Sequence, residues 1–263
     1  MMPTSQSKDP AVNDAHKDSP PRLATPLPEE GWYRLPPDLG QPLLYIVSAP
    51  SGAGKTSLCR RVSSLVNWIT YSISYTTRDP RPGEVDGVDY FFVSPQVFVE
   101  MKERGDFLET AEVYGNHYGT ARSQIESSFA KGKDVLVDID IQGARTMRAS
   151  DIPSISVYIL PPSYAVLRQR LSARAQDSEA TIKKRLDRAK NEIISYNEYD
   201  YLLINREFDR TAQDLLAIIR AEHYRKAGLK AYMEEVFLRE FSEERQVNSS
   251  DIQNRMPETD NRH

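Results

Sequence analysis

The sequence predicts an α/β fold, a parallel sheet flanked by helices, with an inserted segment that is partly β. Three observations carry that expectation. Short apolar runs (Leu43–Val47, Asp134–Asp140, Ile155–Leu160 and Tyr201–Asn205) alternate with stretches of helical periodicity, and strands joined through helices pair in parallel. The runs are apolar nearly throughout, as strands covered on both faces are, rather than at every second residue. The first run leads through Ser48-Ala49-Pro50-Ser51-Gly52-Ala53-Gly54-Lys55-Thr56 into a helix.

That loop is the most informative stretch of the chain. Strand, glycine loop, Lys-Thr and helix form the context of a phosphate-binding P-loop, which makes the core P-loop NTPase-like. Backbone N–H groups of such a loop surround phosphate oxygens, aided by the positive end of the helix dipole. Gly52 and Gly54 permit conformations and close approaches that a Cβ would block. Lys55 is expected to reach terminal phosphates and the Thr56 hydroxyl to ligate Mg²⁺. Ala49 occupies the position where the pattern usually opens with glycine.

Taken in order, nine of the 17 prolines fall at or before Pro42, a density that excludes helix and central strand. Residues 1–40 are therefore expected to be a disordered tail, with Trp32, Tyr33 and Leu35 as its apolar exceptions. After the first strand comes a helix, Thr56–Val66. Tyr71–Arg78 reads as one strand, ended by Asp79-Pro80-Arg81-Pro82-Gly83. Asp89–Val93 is a short strand, Pro95–Arg104 a helix, Phe107–Tyr118 strands and turns, and Ala121–Lys131 an amphipathic helix. Asp134–Asp140 is a strand ending in two carboxylates. Helix from Gly143 to Ala149 and the strand Ile155–Leu160 follow. Pro161-Pro162-Ser163 opens a helix to about Arg174, and Ser178–Ser195 is a charged helix. Tyr201–Asn205 is the last strand and Asp209–Ala227 the last long helix. Residues 234–240 extend helically, and the chain from Glu243 on is polar and expected to fray.

Composition narrows the function. The net charge of −4 gives no sign of a whole-surface nucleic-acid binder. A single cysteine, Cys59, rules out an intrachain disulfide and a cysteine zinc site; its place in the helix after the loop favours packing. No apolar run reaches the length of a membrane span, and the N-terminus lacks an apolar signal region, so a cytoplasmic location is expected. His16, His117, His223 and His263 are scattered, without metal-ligand spacing.

Three further groups bear on chemistry. Asp138 ends the strand that follows the P-loop strand in kind, where a carboxylate can hold Mg²⁺ opposite Thr56. Arg78 and Arg81, with Tyr90 and Tyr118, suit a bound phosphate monoester, although a solvated charged turn explains them as well. Arg170, Arg174, Arg185 and Arg188 could close over a phosphoryl group or form an exposed basic helix paired with Glu179 and Asp187.

Several of these stretches closely resemble the guanylate kinase family: the loop Ser48–Thr56, Thr76-Thr77-Arg78-Asp79-Pro80-Arg81-Pro82-Gly83-Glu84, Gly115-Asn116-His117-Tyr118-Gly119-Thr120, Asp138-Ile139-Asp140-Ile141-Gln142-Gly143 and Leu160-Pro161-Pro162-Ser163. The similarity runs from about Leu43 to Ala227. It implies ATP + GMP ⇌ ADP + GDP with Mg²⁺, and a P-loop core carrying a GMP-binding insertion and a helical lid. The domain would span 41–230, with core segments 41–73, 119–161 and 191–230, insertion 74–118 and lid 162–190. Residues 231–263 would form a C-terminal helix and tail. By the resemblance, Ser74, Glu109, Thr120 and one or both of Asp138 and Asp140 face guanine. Arg78, Arg81, Tyr90 and Tyr118 hold the GMP phosphate. The loop from Ala49 through Pro50, Ser51, Gly52, Ala53 and Gly54 to Lys55 and Thr56 holds ATP, with Asn205 near adenine. Arg170, Arg174 and Arg185 act with Lys55 in catalysis. Ala175 and Arg206 depart from the usual glycine and aspartate of the family. The expected partners are ATP and GMP, without nucleic acid or membrane; a homo-oligomer is left open. The alternative is a non-catalytic guanylate-kinase-like module that docks phosphopeptides, and a third reading is a kinase of a phosphorylated sugar. Lys55 and the arginines argue against the module, and Ser74, Glu109 and Asp140 against the sugar.

Overall fold

The computed structural model describes residues 41–172, 179–225, 229–230, 233–239 and 241. Arg174, Ala175, the expected tail 1–40 and the expected frayed end from Glu243 on lie outside the described residues. The core is a five-stranded sheet in the order β2-β7-β1-β8-β9, all pairs parallel. Its strands are β1 (Leu44–Ser48), β2 (Ile69–Tyr71), β7 (Asp134–Asp138), β8 (Ser154–Leu160) and β9 (Tyr201–Ile204). β1 is central and wholly buried, so Leu44, Ile46 and Val47 each contribute roughly 1.5–3 kcal/mol of apolar burial. Helices α1 (Lys55–Leu65), α3 (Arg122–Phe129), α4 (Ile141–Arg148) and α7 (Phe208–His223) accompany this sheet. Leu44, Ile46, Val135, Val137, Ala144 and Met147 share one apolar cluster with Ile125 of α3.

A second sheet, β4-β3-β6-β5, forms the insertion. It comprises β3 (Tyr75–Thr76), β4 (Phe91–Phe92), β5 (Phe107–Val113) and β6 (Asn116–Ala121), with α2 (Pro95–Glu103) between β4 and β5. α2 starts where Ser94 accepts the Val97 N–H and Pro95 takes the first helical position, a favourable start because that N–H has no intrahelical use. β6 carries this sheet to Ala121, beyond the expected boundary at 118.

Two expectations need correcting. Tyr71–Arg78 is not one strand. β2 ends at Tyr71 in the core sheet, and β3 begins at Tyr75 in the other. Between them the Gln124 amide replaces a neighbouring strand: it accepts from Ile73 N–H at 3.1 Å and donates to Ile73 C=O at 2.8 Å. The strand Asp134–Asp140 also stops early, at Asp138. Asp140 instead caps α4, accepting from Gly143 N–H at 2.9 Å.

The lid segment is helical: α5 (Tyr164–Ser172) and α6 (Glu179–Ile193), followed by a 3₁₀ turn, Ile194–Glu198. Leu167 and Leu171 of α5 pack with Leu186 and Ala189 of α6. One π-helical turn, Met233–Leu238, lies in the expected C-terminal extension.

A buried polar pair fastens the sheet to its last helix. Asp134 Oδ1 accepts from Leu43 N–H at 2.9 Å, and Oδ2 lies 2.6 Å from His223 Nε2 of α7. Both side chains are almost fully enclosed. Asp134→Ala orphans two buried groups at once, and should lower the unfolding free energy by about 3 kcal/mol in a urea melt. Asp134→Asn keeps an acceptor for Leu43 and should cost less. A loss of under about 1 kcal/mol for the alanine variant would show that the pair does not hold α7 to the sheet.

Candidate functional site

The C-terminal ends of β1 and β7, the insertion sheet and α6 surround a cleft of about 400 Å³. Ligands of open parallel α/β sheets bind at this end of the strands. One wall is the loop after β1. Gly52 and Gly54 have φ of 90° and 91°, left-handed values that side chains resist. A Cβ on Gly52 would stand 2.9 Å from Leu171 Cδ2 of α5. Ala53 is buried, and its carbonyl accepts from Asn205 Nδ2 at 2.8 Å. The loop is thus braced from the lid side and from the end of β9. Ala49, Pro50, Ser51, Gly52, Gly54, Lys55 and Thr56 all line the cleft; Ala53 and Asn205 stand behind it.

At the floor, the Thr56 hydroxyl donates to Asp138 Oδ2 and Tyr71 donates to Oδ1 at 2.7 Å. Hydroxyl and carboxylate are hard oxygen donors of the kind Mg²⁺ takes, usually together with substrate phosphates and water. Among the described residues no group of three or more His, Cys, Asp or Glu could hold a metal by itself, so a shared protein–phosphate site is the arrangement these residues fit. Burial, followed by the charge of Asp138, pushes the Tyr71 phenol well above its ordinary range. It remains a donor at any ordinary pH. Burial likewise raises the Cys59 thiol, in keeping with a packing role.

The insertion supplies the opposite wall. Arg78, Arg81, Tyr90 and Tyr118 line it together. Arg78 NH2 reaches both oxygens of Glu84 at 2.9 Å, and its guanidinium lies over the rings of Tyr90 and Phe92. Burial opposes ionisation of Glu84, yet the Arg81 backbone N–H and the Arg78 guanidinium outweigh it and hold the carboxyl below its usual range. Arg78 is therefore well ordered against the wall rather than part of a solvated turn; Arg81 is exposed.

Glu109 of β5 lines the same cleft with Ser74 and Asp140. Glu109 is 3% exposed. Its Oε1 accepts from the Thr120 hydroxyl at 2.7 Å, while Oε2 is buried with no hydrogen-bond partner. Thr120 is fully buried and orients Glu109 from behind. Burial, with the Asp140 charge adding to it and the Thr120 bond and Lys55 opposing, raises the Glu109 carboxyl to about 7.

Of the lid arginines, Arg185 lines the cleft. Arg170 is docked at the end of β9, where NH2 donates to Asn205 C=O at 3.1 Å. Sequence reasoning missed Tyr71, Glu84, Arg60 and Glu192 as parts of the site. Arg60 reaches from α1 to the insertion, contacting Val88 C=O at 2.8 Å and Asp89 at 3.0 Å. Its place next to the Lys-Thr helix start was the signal available for it.

The Glu109 shift has a stability consequence with a definite sign. In the unfolded chain the carboxyl ionises near 4.5; folded, it keeps its proton up to about 7. Between these values the folded state binds more protons, so its contribution is full below 4.5 and is lost as pH rises through 7. The ligand-free Glu109→Gln variant should therefore gain on the parent chain by roughly 3 kcal/mol between pH 4.5 and 7.5 in denaturant melts. A difference that does not change with pH would contradict the shift.

Comparison with known proteins agrees with this geometry. A sequence profile described as guanylate kinase matches residues 41–222. A guanylate kinase of Hahella chejuensis is 51% identical over 182 residues, covering 69% of this chain and 88% of its own. One of Vibrio vulnificus is 52% identical over 192 residues, covering 72% and 92%. The crystal structure of guanylate kinase from Anaplasma phagocytophilum superposes with a TM-score of 0.63 at 32% identity, covering 75% of this chain and 96% of that one. No helix among the described residues is long and apolar enough to cross a membrane. With a profile match over most of its length and relatives about half identical, the chain belongs to the guanylate kinase family.

Proposed function

We propose that this cleft transfers the terminal phosphoryl group of ATP to GMP, with Mg²⁺, giving ADP and GDP. The observation that carries the reading is the meeting, in one cleft, of a lysine-bearing phosphate loop and a buried carboxylate with an unused acceptor oxygen. Guanine presents a ring N–H and an exocyclic amine side by side. Glu109 Oε2 and Asp140, with the Ser74 hydroxyl, are matching acceptors, and adenine lacks that donor pair and would leave them unpaired. Docked donors also favour the ionised form of Glu109 that burial disfavours.

On the acceptor side, Arg78, Arg81, Tyr90 and Tyr118 hold the GMP phosphate. Arg78 exchanges part of its pairing with Glu84 for the phosphate, a bidentate match for a guanidinium. On the donor side, the N–H groups of the loop and Lys55 hold the ATP phosphates. Thr56 and Asp138 would hold Mg²⁺, which when bound offsets phosphate charge and fixes the orientation of the chain of phosphates. Asn205 acts through the loop and stands beside the adenine end. Arg185, with Arg170 and Arg174 of the lid, approaches the transferring group as the lid shuts. The reaction needs no covalent intermediate; positioning, charge neutralisation and exclusion of water account for it. A phosphopeptide-docking module would have no use for Lys55 or for a buried Glu109 with an unmet oxygen. A cytoplasmic location fits a reaction between two soluble nucleotides.

Two variants tested in one assay separate the halves of this site. Lys55→Ala should lower kcat by about a hundredfold to a thousandfold, the equivalent of roughly 3–4 kcal/mol of transition-state stabilisation. Glu109→Gln should lower kcat/KM for GMP about tenfold and leave the KM for ATP nearly unchanged, because an amide opposes a donor to the donors of the base. Near-normal turnover by folded Lys55→Ala, or equal damage to both nucleotides in Glu109→Gln, would contradict the assignment.

A further inference from the structure

Helix α6 brings another arginine to the cleft, and the reaction described above gives it no part. Arg188 follows Arg185 by about one helical turn and lines the same cleft. Its guanidinium is held on three sides. Nε donates to Glu192 Oε1 at 2.5 Å, NH2 donates to Asp140 Oδ2 at 3.1 Å, and the group lies 5.2 Å from the centre of the Tyr114 ring. These partners come from the lid, the start of α4 and the β5–β6 hairpin. Tyr114 has a φ of 53°, positive for a non-glycine residue, in the turn of that hairpin.

We propose that Arg188 is a positioning residue for base specificity: its hydrogen bond to Oδ2 holds the Asp140 carboxylate aimed into the acceptor pocket. The proposal rests on the reading of Asp140 as a guanine acceptor. Glu109 and Asp140 converge on the start of α4. Glu109 Oε2 stands 2.5 Å from where a Cβ on Gly143 would be, and Gly143 N–H donates to Asp140 Oδ1. Two acidic side chains brought to one pocket repel, and a free Asp140 side chain would turn away. A cation on its outer oxygen removes that response. Each carboxylate oxygen accepts along two directions, so Asp140 can keep Gly143 and Arg188 and still accept from a base. The same contacts argue against Arg188 as a phosphoryl clamp, because two carboxylates already neutralise it and a ring covers its face. A planar fork is required to meet Glu192 and Asp140 at once, which a lysine does not supply.

The test is steady-state kinetics of the full chain with GMP and with IMP, whose base lacks the exocyclic amine. The variants are Arg188→Gln, Arg188→Lys, Asp140→Asn and the Asp140→Asn/Arg188→Gln double. Arg188→Gln should lower kcat/KM for GMP about tenfold, mainly through KM, and that for IMP less, narrowing the GMP preference. The KM for ATP should stay within about twofold, and the lysine variant should recover little. In the Asp140→Asn background the arginine change should add nothing. A fall in kcat with the base preference intact, additive losses in the double variant, or no effect would each overturn the proposal. Should Asp140→Asn itself leave the preference intact, the reading of Asp140 fails and the proposal fails with it. Should Asp140→Asn narrow the preference while Arg188→Gln does not, the proposal alone fails. Thermal melts confirm folding, and if Arg188→Gln does not fold, the lysine variant decides by the same criteria.

Discussion

The parallel register of β1 against β7 is the constraint on which the cleft depends. Val47 pairs with Asp138, so the chain leaves β1 for the phosphate loop beside the Asp138 carboxylate. The pairing continues past the strands: Ile139 N–H donates to Val47 C=O at 3.2 Å, and the Ser48 hydroxyl donates to Ile139 C=O at 2.9 Å. A slip of one residue would send Asp138 to the other face of the sheet. The Thr56–Asp138 contact would be lost, and Asp140 would no longer cap α4 next to Glu109.

Around that fixed pair, the remaining parts are positioned by contacts behind the cleft. Leu171 beside Gly52 and Asn205 on the Ala53 carbonyl back the loop, whose glycines take left-handed backbone without a steric cost. Gln124 clamps Ile73 where the chain passes from one sheet to the other, which sets where Ser74 and β3 enter the cleft. Thr120 does the same for Glu109. The unmet oxygen of Glu109 costs stability in the ligand-free protein, and that cost grows as pH rises above 4.5 and is greatest above about 7. A pocket left in that condition favours any ligand that brings donors.

The core was legible because its signals are local. Buried parallel strands read as apolar runs, and the glycine loop announces itself through Gly52, Gly54, Lys55 and Thr56. What escaped depends on residues distant in sequence. Ile69 to Thr77 is continuously β-prone, and only the Gln124 side chain, some fifty positions on, makes it two strands in two sheets. Asp140 looked like the end of a strand because its capping bond to Gly143 is a matter of backbone direction. His223 had no recognisable spacing because its partner Asp134 lies 89 residues away. The resemblance singles out Thr120 and Asn205, but nothing in the sequence tells a residue lining the cleft from one bracing it. The arginines of 170–188 look alike in sequence; only packing separates Arg170 on β9, Arg185 in the cleft and Arg188 on Asp140.

The central claim is that a carboxylate-lined pocket selects guanine and sets it opposite the phosphate loop. Its most direct test is ADP formation from ATP and Mg²⁺, followed by a coupled assay, with GMP, AMP, CMP and UMP offered in turn at equal concentration. The account predicts rapid turnover with GMP and at least about a hundredfold less with each of the others, as expected when buried acceptors lose their donors. Comparable rates with AMP, or ADP formation indifferent to any added monophosphate, would contradict it.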